Sequence, residues 1–341
     1  MINDFLKKNL SNNALFDDYG LQYNNCPNVD INIIQYENSF SLLSNKVLIK
    51  CSGEDAKDFL NTQFTNDIKK LENNSVMLSG YCNPKGRLIS IFYIYQLDKI
   101  FYLYTTLESS ELLYKKLNMY KMMSKVDFEM LNGNLIGIQI NKGKLSSDII
   151  ESHQFKDCIA FKYIDNQIII YSPKSNKNIN GLFDKFIADK LSYLGYKSWD
   201  FIEIHNFIPF IKSEYIEAFT PQMVSLDKLN GLSFEKGCYP GQEIVARTHY
   251  LGESKKSLYS ATLHTTKKFD INSKVIQLSD NKNAGEIINF VEINTEENNS
   301  KLQYFCLCVL RKDSIEEKLA IHGDAFSELT INKSAGVIKN D

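Results

Sequence analysis

The sequence is short of several things, and each shortage closes a class of function. It has one tryptophan in 341 residues, five dispersed histidines, and seven cysteines that form no Cys-x-x-Cys pair or Cys/His cluster. Such spacing encodes neither a disulfide framework nor a self-contained metal site. An excess of one charge is missing too, since 39 Lys and Arg against 41 Asp and Glu leave a net charge of -2. That balance lacks the footprint of a protein that grips phosphate backbones, so no direct nucleic-acid binding is expected. No apolar run approaches the roughly 20 residues that cross a bilayer. The polar, acidic start MINDFLKKNLSNNALFDDYG has the plan of neither a signal nor a transit peptide. A cytoplasmic protein with no membrane association is expected.

What is present fits an ordinary globular chain of two or three domains, 43% hydrophobic and 23% charged. A polar N-terminal arm is expected over 1–35. Ser52 can cap a helix over Glu54 to Thr62, where Ala56, Phe59 and Leu60 form an apolar stripe. SVMLSGY and RLISIFYIYQL read as two strands of a hairpin around the turn Asn83-Pro84-Lys85-Gly86. A third strand follows from Lys99 to Thr106, then a helix over Glu108 to Met119 with Leu112, Leu113 and Leu117 on one face.

Several short strands are expected between Val126 and Tyr171, and helices over Asn180 to Tyr193 and Trp199 to His205. Beyond Gly252 the runs LYSATLH, KVIQL, GEIINFVEI and YFCLCVL predict a small all-β domain, with NTEENNSK as a hairpin tip. Cys306 and Cys308 lie two apart in the last of these strands and so share a face, where core packing is the expected role.

One stretch concentrates chemistry: Lys236 to Arg247, KGCYPGQEIVAR. Pro240 and Gly241 form a turn, and the following run has good helix formers with no breaker until Gly252. A cysteine just ahead of a helix N-terminus and beside Lys236 sits where a thiolate is stabilised. The plainer reading of a Gly-Cys-Tyr tripeptide is a buried, space-filling cysteine. Glu243 and Arg247, four apart, are placed to pair on one helix face.

With its neighbours, the stretch resembles the YgfZ family of folate-binding proteins, which includes mitochondrial iron–sulfur assembly factors. GEDAKDFLNTQFTND, YCNPKGRLISIF, MYKMMSKV and the continuous run from Pro221 through Arg247 resemble the family's segments in the same order. The resemblance implies the α+β fold of the glycine cleavage system T protein. Two folate-binding subdomains around a central channel (36–252) would precede a C-terminal β-barrel domain (253–335).

The catalytic aspartate of T proteins lies in the hairpin's second strand. The matching positions here are Ser90 and Ile91. A neutral hydroxyl cannot supply a carboxylate's proton chemistry, so aminomethyl transfer is not expected. By resemblance, Cys238 is the functional thiol, with Lys236 beside it. It would serve as a cluster ligand only together with a partner, and no metal site within the chain is expected.

Trp199, Tyr239, Gln242, Glu243 and Arg247 are the folate-site residues that the resemblance implies, with tetrahydrofolate or a folate derivative as cofactor. Trp199 is equally readable as a core anchor. Two positions depart from the family: Lys46 replaces a tryptophan, and His205 replaces the pterin-binding glutamate of T proteins. The implied role is a folate-binding accessory factor for maturation or repair of iron–sulfur enzymes, with those enzymes or cluster carriers as partners. It would support tRNA thiomethylation indirectly. The alternative is a tetrahydrofolate-dependent one-carbon transferase or demethylase with a relocated catalytic group.

Overall fold

The computed structural model describes residues 15–17, 20–22, 31–142, 158–164, 166–174, 179–250, 252–293 and 302–336. The rest of the expected arm and the NTEENNSK loop lie outside them. Strands β1 (Leu15–Asp17) and β2 (Gly20–Gln22) pair antiparallel, and helix α1 spans Ile31–Tyr36. The chain continues through β3 (Ser39–Leu42), β4 (Lys46–Ser52), α2 (Ala56–Gln63), β5 (Val76–Cys82), β6 (Leu88–Leu97) and β7 (Ile100–Thr106). Helix α3 (Leu107–Tyr120), β8 (Asp127–Met130), β9 (Gly133–Gln139), β10 (Ile159–Lys162) and β11 (Gln167–Pro173) follow. Then come α4 (Ile179–Ala188), β12 (Ser192–Leu194), α5 (Tyr196–His205) and α6 (Gln242–Tyr250). The last strands are β13 (Lys256–Thr265), β14 (Lys274–Gln277), β15 (Asn283–Ile293), β16 (Leu302–Arg311), β17 (Leu319–Ile321) and β18 (Asp324–Ser334).

These strands form two five-stranded sheets, ordered β5-β6-β7-β4-β8 and β10-β11-β9-β3-β12, and a closed barrel ordered β13-β16-β15-β14-β17-β18. β3 and β4 are sequential yet lie in different sheets, which ties the two α+β halves together at their start. Leu113 and Leu117, both at 0% exposure, seat α3 against the first sheet. Phe183 and Phe186 do the same for α4 on the second. One core joins all three units: Leu48, Tyr104, Trp199, Leu226, Leu258 and Leu307 belong to a single apolar cluster. Burial of this common core, rather than any one helix's propensity, fixes the three units relative to one another.

Three local expectations are corrected. Ser52 ends β4, and Asp55 holds the N-cap place of α2 without a side-chain cap bond. Its carboxylate accepts from Lys125 N at 2.8 Å instead, tying the helix start to the loop before β8. The helix expected through Tyr193 stops at Ala188, because Lys190 has φ +60° and Tyr193 joins β12, parallel to β3. Glu243 and Arg247 are both exposed, and no ion pair joins them among the described residues. Cys306 and Cys308 are fully buried in the barrel core, as expected.

Candidate functional site

The β5–β6 turn is built by Asn83, whose Oδ1 accepts from Lys85 N at 2.9 Å and Arg87 N at 3.0 Å. Gly86 closes the turn with φ +68°, a conformation open to glycine. The tip rests on the turn before α6, where Gly241 has φ +81°. A Cβ on Gly241 would meet Asn83 O and Gly86 N at 2.5 Å, so the two backbones touch only because neither carries a side chain there. Two motifs distant in sequence are thus one structural unit, and Cys238 stands on it.

Cys238 is exposed, whereas Cys51, Cys82, Cys306 and Cys308 are buried and Cys158 is intermediate. Burial pushes the thiols of Cys51, Cys82, Cys306 and Cys308 well up, which leaves them inert near neutrality. Among the described cysteines, Cys238 is therefore the one open to solvent. Lys236 does something other than stand free beside it. Its ammonium is buried and donates to the carbonyls of Asn61, Phe64 and Asn66, the last at 2.9 Å. All three N–H donors are thereby committed, and the lysine ties the cysteine loop to the end of α2. Burial pulls its pKa down to about 8, against which Asp67 acts.

Tyr239 is buried, with its ring 5.1 Å from the Lys236 ammonium. Gln242 Nε2 reaches Lys236 O only at 3.5 Å. The structure gathers Lys236, Cys238, Tyr239, Gln242, Glu243 and Arg247 on this loop and helix. Trp199 belongs to another part of the molecule.

Trp199 is 1% exposed, and its ring closes over Gly137, where a Cβ would come within 2.6 Å of it. Its Nε1 donates to Tyr104 Oη at 3.1 Å and to Glu203 Oε1 at 3.0 Å. Tyr104 Oη donates to the same carboxylate at 2.9 Å, and Lys46 Nζ lies 2.6 Å from its Oε2. Each of these hydrogen-bond partners is a donor, so Glu203 accepts as a carboxylate, although burial and the nearby Asp200 raise its pKa. Burial alone would lower Lys46; the carboxylates of Asp200 and Glu203 outweigh it and hold the ammonium above its ordinary value. Trp199 is accordingly a core anchor in this structure, with no face open for stacking.

Ser90 is fully buried among hydroxyls, 3.1 Å from Thr105 Oγ1 and 2.9 Å from Ser109 Oγ. A neutral hydroxyl cluster occupies the position where the resemblance locates the T-protein carboxylate.

Two clefts flank α5. One, of about 390 Å³, lies between the Asp200 and Glu203 face of α5 and a wall of the barrel. The other, of about 290 Å³, is lined by His205, Phe201 and six amide side chains: Gln35, Gln139, Asn141, Asn166, Gln167 and Asn206. Its described lining contains no Lys, Arg, Asp or Glu. Gln167 is 4% exposed, and its Oε1 has no partner; neither has Gln139 Oε1. The Gln139 assignment is fixed by a relay. Asn141 Nδ2 donates to the carbonyls of Ile34 and Glu37, so its Oδ1 must accept from Gln139 Nε2, at 2.8 Å. Buried acceptors left unmade are costly, and a ring presenting N–H groups would satisfy them. Burial, then the nearby Lys333, lowers the His205 pKa, which favours a neutral imidazole. Sequence reasoning did not single out the amides of this cleft, because no spacing rule gathers residues from β9, β11 and α5.

Among the described residues, no group of three or more His, Cys, Asp or Glu is placed to hold a metal ion, and no helix is long and apolar enough to cross a membrane.

No family model matches the chain. Curated relatives called tRNA-modifying protein YgfZ do. That of Photobacterium profundum is 30% identical over 229 residues, 64% of this chain and 68% of the relative. That of Colwellia psychrerythraea is 28% identical over 251 residues, 70% of this chain and 77% of the relative. That of Hamiltonella defensa is 28% identical over 306 residues, 85% of this chain and 89% of the relative. Among solved structures, the glycine cleavage system aminomethyltransferase T of Bartonella henselae superposes with a TM-score of 0.69 at 11% identity. It covers 89% of this chain and 87% of that one. The likeness to that enzyme is one of fold.

Proposed function

The chain belongs to the YgfZ family, and from that premise we propose that it is a folate-binding accessory factor for the maturation or repair of iron–sulfur enzymes. It supports tRNA modification indirectly and uses Cys238 as its working thiol. The observation that carries this reading is the presentation of Cys238. It is the exposed cysteine among those described, on a loop held from one side by Lys236 and from the other by Gly86. A thiol held out on a rigid loop suits transient contact with a protein that brings the remaining cluster ligands.

The amide-lined cleft fits the cofactor. A pterin is an uncharged ring whose amino-pyrimidine edge presents N–H groups, and the unpartnered Gln167 and Gln139 oxygens accept from such an edge. Gln139, Gln167 and His205 would hold it, and bound folate would supply a carrier of one-carbon groups. His205, where T proteins have a glutamate, meets the ring as a neutral imidazole. The buried Ser90 cluster speaks against the transferase reading, because it holds no base and no charge.

A tetrahydrofolate titration of the purified chain tests the cofactor. Saturable binding is expected, weakened about tenfold or more by Gln167→Leu, with no one-carbon transfer to or from the folate. No binding by the wild-type chain would remove folate from the proposal, and turnover would restore the transferase reading.

A further inference from the structure

The larger cleft has a chemistry of its own. Its floor is the group of buried Lys46 and Glu203 with half-buried Asp200: Lys46 Nζ lies 2.9 Å from Asp200 Oδ1 and 2.6 Å from Glu203 Oε2. One ammonium between two carboxylates leaves the floor with an uncompensated negative charge. Two residues that line this cleft, Asn45 and Asn289, each have a buried amide oxygen, Oδ1, without a hydrogen-bond partner. Neither can be exchanged for its nitrogen. Asn45 Nδ2 donates to both oxygens of Asp200 at 3.0 Å, and Asn289 Nδ2 donates to Phe210 O at 3.0 Å. A flip would set oxygen against oxygen in both places. Asn289 is 8% exposed, so its orphan acceptor carries a desolvation cost until a donor reaches it. Phe210 links the two halves, since its carbonyl holds Asn289 and its ring lies 4.8 Å from Lys46 Nζ.

Negative charge and unmet acceptors on one floor call for a cationic group with several N–H donors. The same cleft carries Lys197, Lys212 and Lys268 alongside Glu108 and Glu292, with Phe269 and Phe290 as apolar wall, and none of the three lysines is in an ion pair among the described residues. A volume of about 390 Å³ suits a small molecule.

We propose that this cleft binds a small molecule carrying a free primary ammonium and a carboxylate, chemically an amino acid. The ammonium sits against Asn45, Asn289 and Asp200, and the carboxylate against the lysines. This site is distinct from the amide-lined cleft on the opposite side of α5 and does not rest on the folate reading.

The test is thermal unfolding of the full chain with the free amino acids at millimolar concentration, each beside its N-acetylated form. At least one free amino acid should raise the melting temperature, and its N-acetyl form should not. Asn289→Leu and, separately, Asp200→Asn should weaken that binding at least about tenfold. If no amino acid shifts the transition, the unmet oxygens are served by water and the proposal is wrong. Equal binding of the N-acetylated forms overturns it as well, whatever the variants do.

Discussion

Gly86 and Gly241 meet backbone to backbone, joining the tip of the β5–β6 hairpin to the turn that enters α6. With φ +68° and +81°, both positions use conformations that favour glycine; a Cβ on Gly241 would strike the hairpin tip at 2.5 Å, and one on Gly86 would crowd Gly241 O at 3.1 Å. The contact makes the presentation of Cys238 a property of two remote motifs together. Gly241→Ala should therefore destabilise the chain by about 1–3 kcal/mol. Urea unfolding would show this, and limited proteolysis should cut the 236–241 loop faster in the variant.

Lys46 and Glu203 form a buried pair, with side chains 3% and 4% exposed. Removing one member strands the other, so Lys46→Met should cost about 3–5 kcal/mol. Adding Glu203→Gln to that variant should recover part of the loss. Denaturant midpoints of the two single variants and the double variant give the coupling directly; strictly additive losses would show that the pair contributes nothing.

Lys236 predicts a pH dependence. Its pKa is about 8 in the folded chain against an ordinary 10.5, so between these values the unfolded chain binds the extra proton. Its own contribution to stability should then rise with pH from about 8 upward, by at most about 1.4 kcal/mol per unit, against the opposite slope of the four buried thiols, which burial holds protonated in the folded chain. Below 8 the ammonium is charged in both states and adds no slope. Urea midpoints of the wild type and Lys236→Met at pH 7.5, 8.5 and 9.5 check this: stability should fall more steeply with rising pH in the variant, and equal slopes would contradict it.

Ser90→Asp would restore a carboxylate to the hairpin strand. Ser90 is 0% exposed with only Thr105 and Ser109 hydroxyls beside it, so a charge there lacks a cation. The variant should lose about 2 kcal/mol or more and gain no aminomethyl transfer activity. Thermal unfolding and a transfer assay with tetrahydrofolate measure the two halves of that expectation.

Much of the fold is legible where short-range rules govern. The Asn83–Gly86 turn, the α3 face of Leu113 and Leu117, and the barrel strands follow from turn chemistry and periodicity. The site is less so, because its determinants are long-range. Lys236 reads as a cation beside a thiol, but its partners lie 170 and more residues away, on carbonyls in the last turn of α2 and just after it. Lys46 reads as a lost tryptophan, but it meets Asp200 across 154 positions. The spacing of Trp199 and Glu203, one helical turn apart, did hold the signal for a shared hydrogen bond. Tyr193 went to a strand rather than the preceding helix because pairing with β3 outweighed local propensity.

The most direct test of the account is Cys238→Ala in a strain lacking its own copy of this protein, read as cluster-dependent tRNA thiomethylation. The account predicts a folded protein with an unchanged melting temperature and no rescue, because the exposed thiol contributes to function and not to the core. Full rescue by that variant would contradict it.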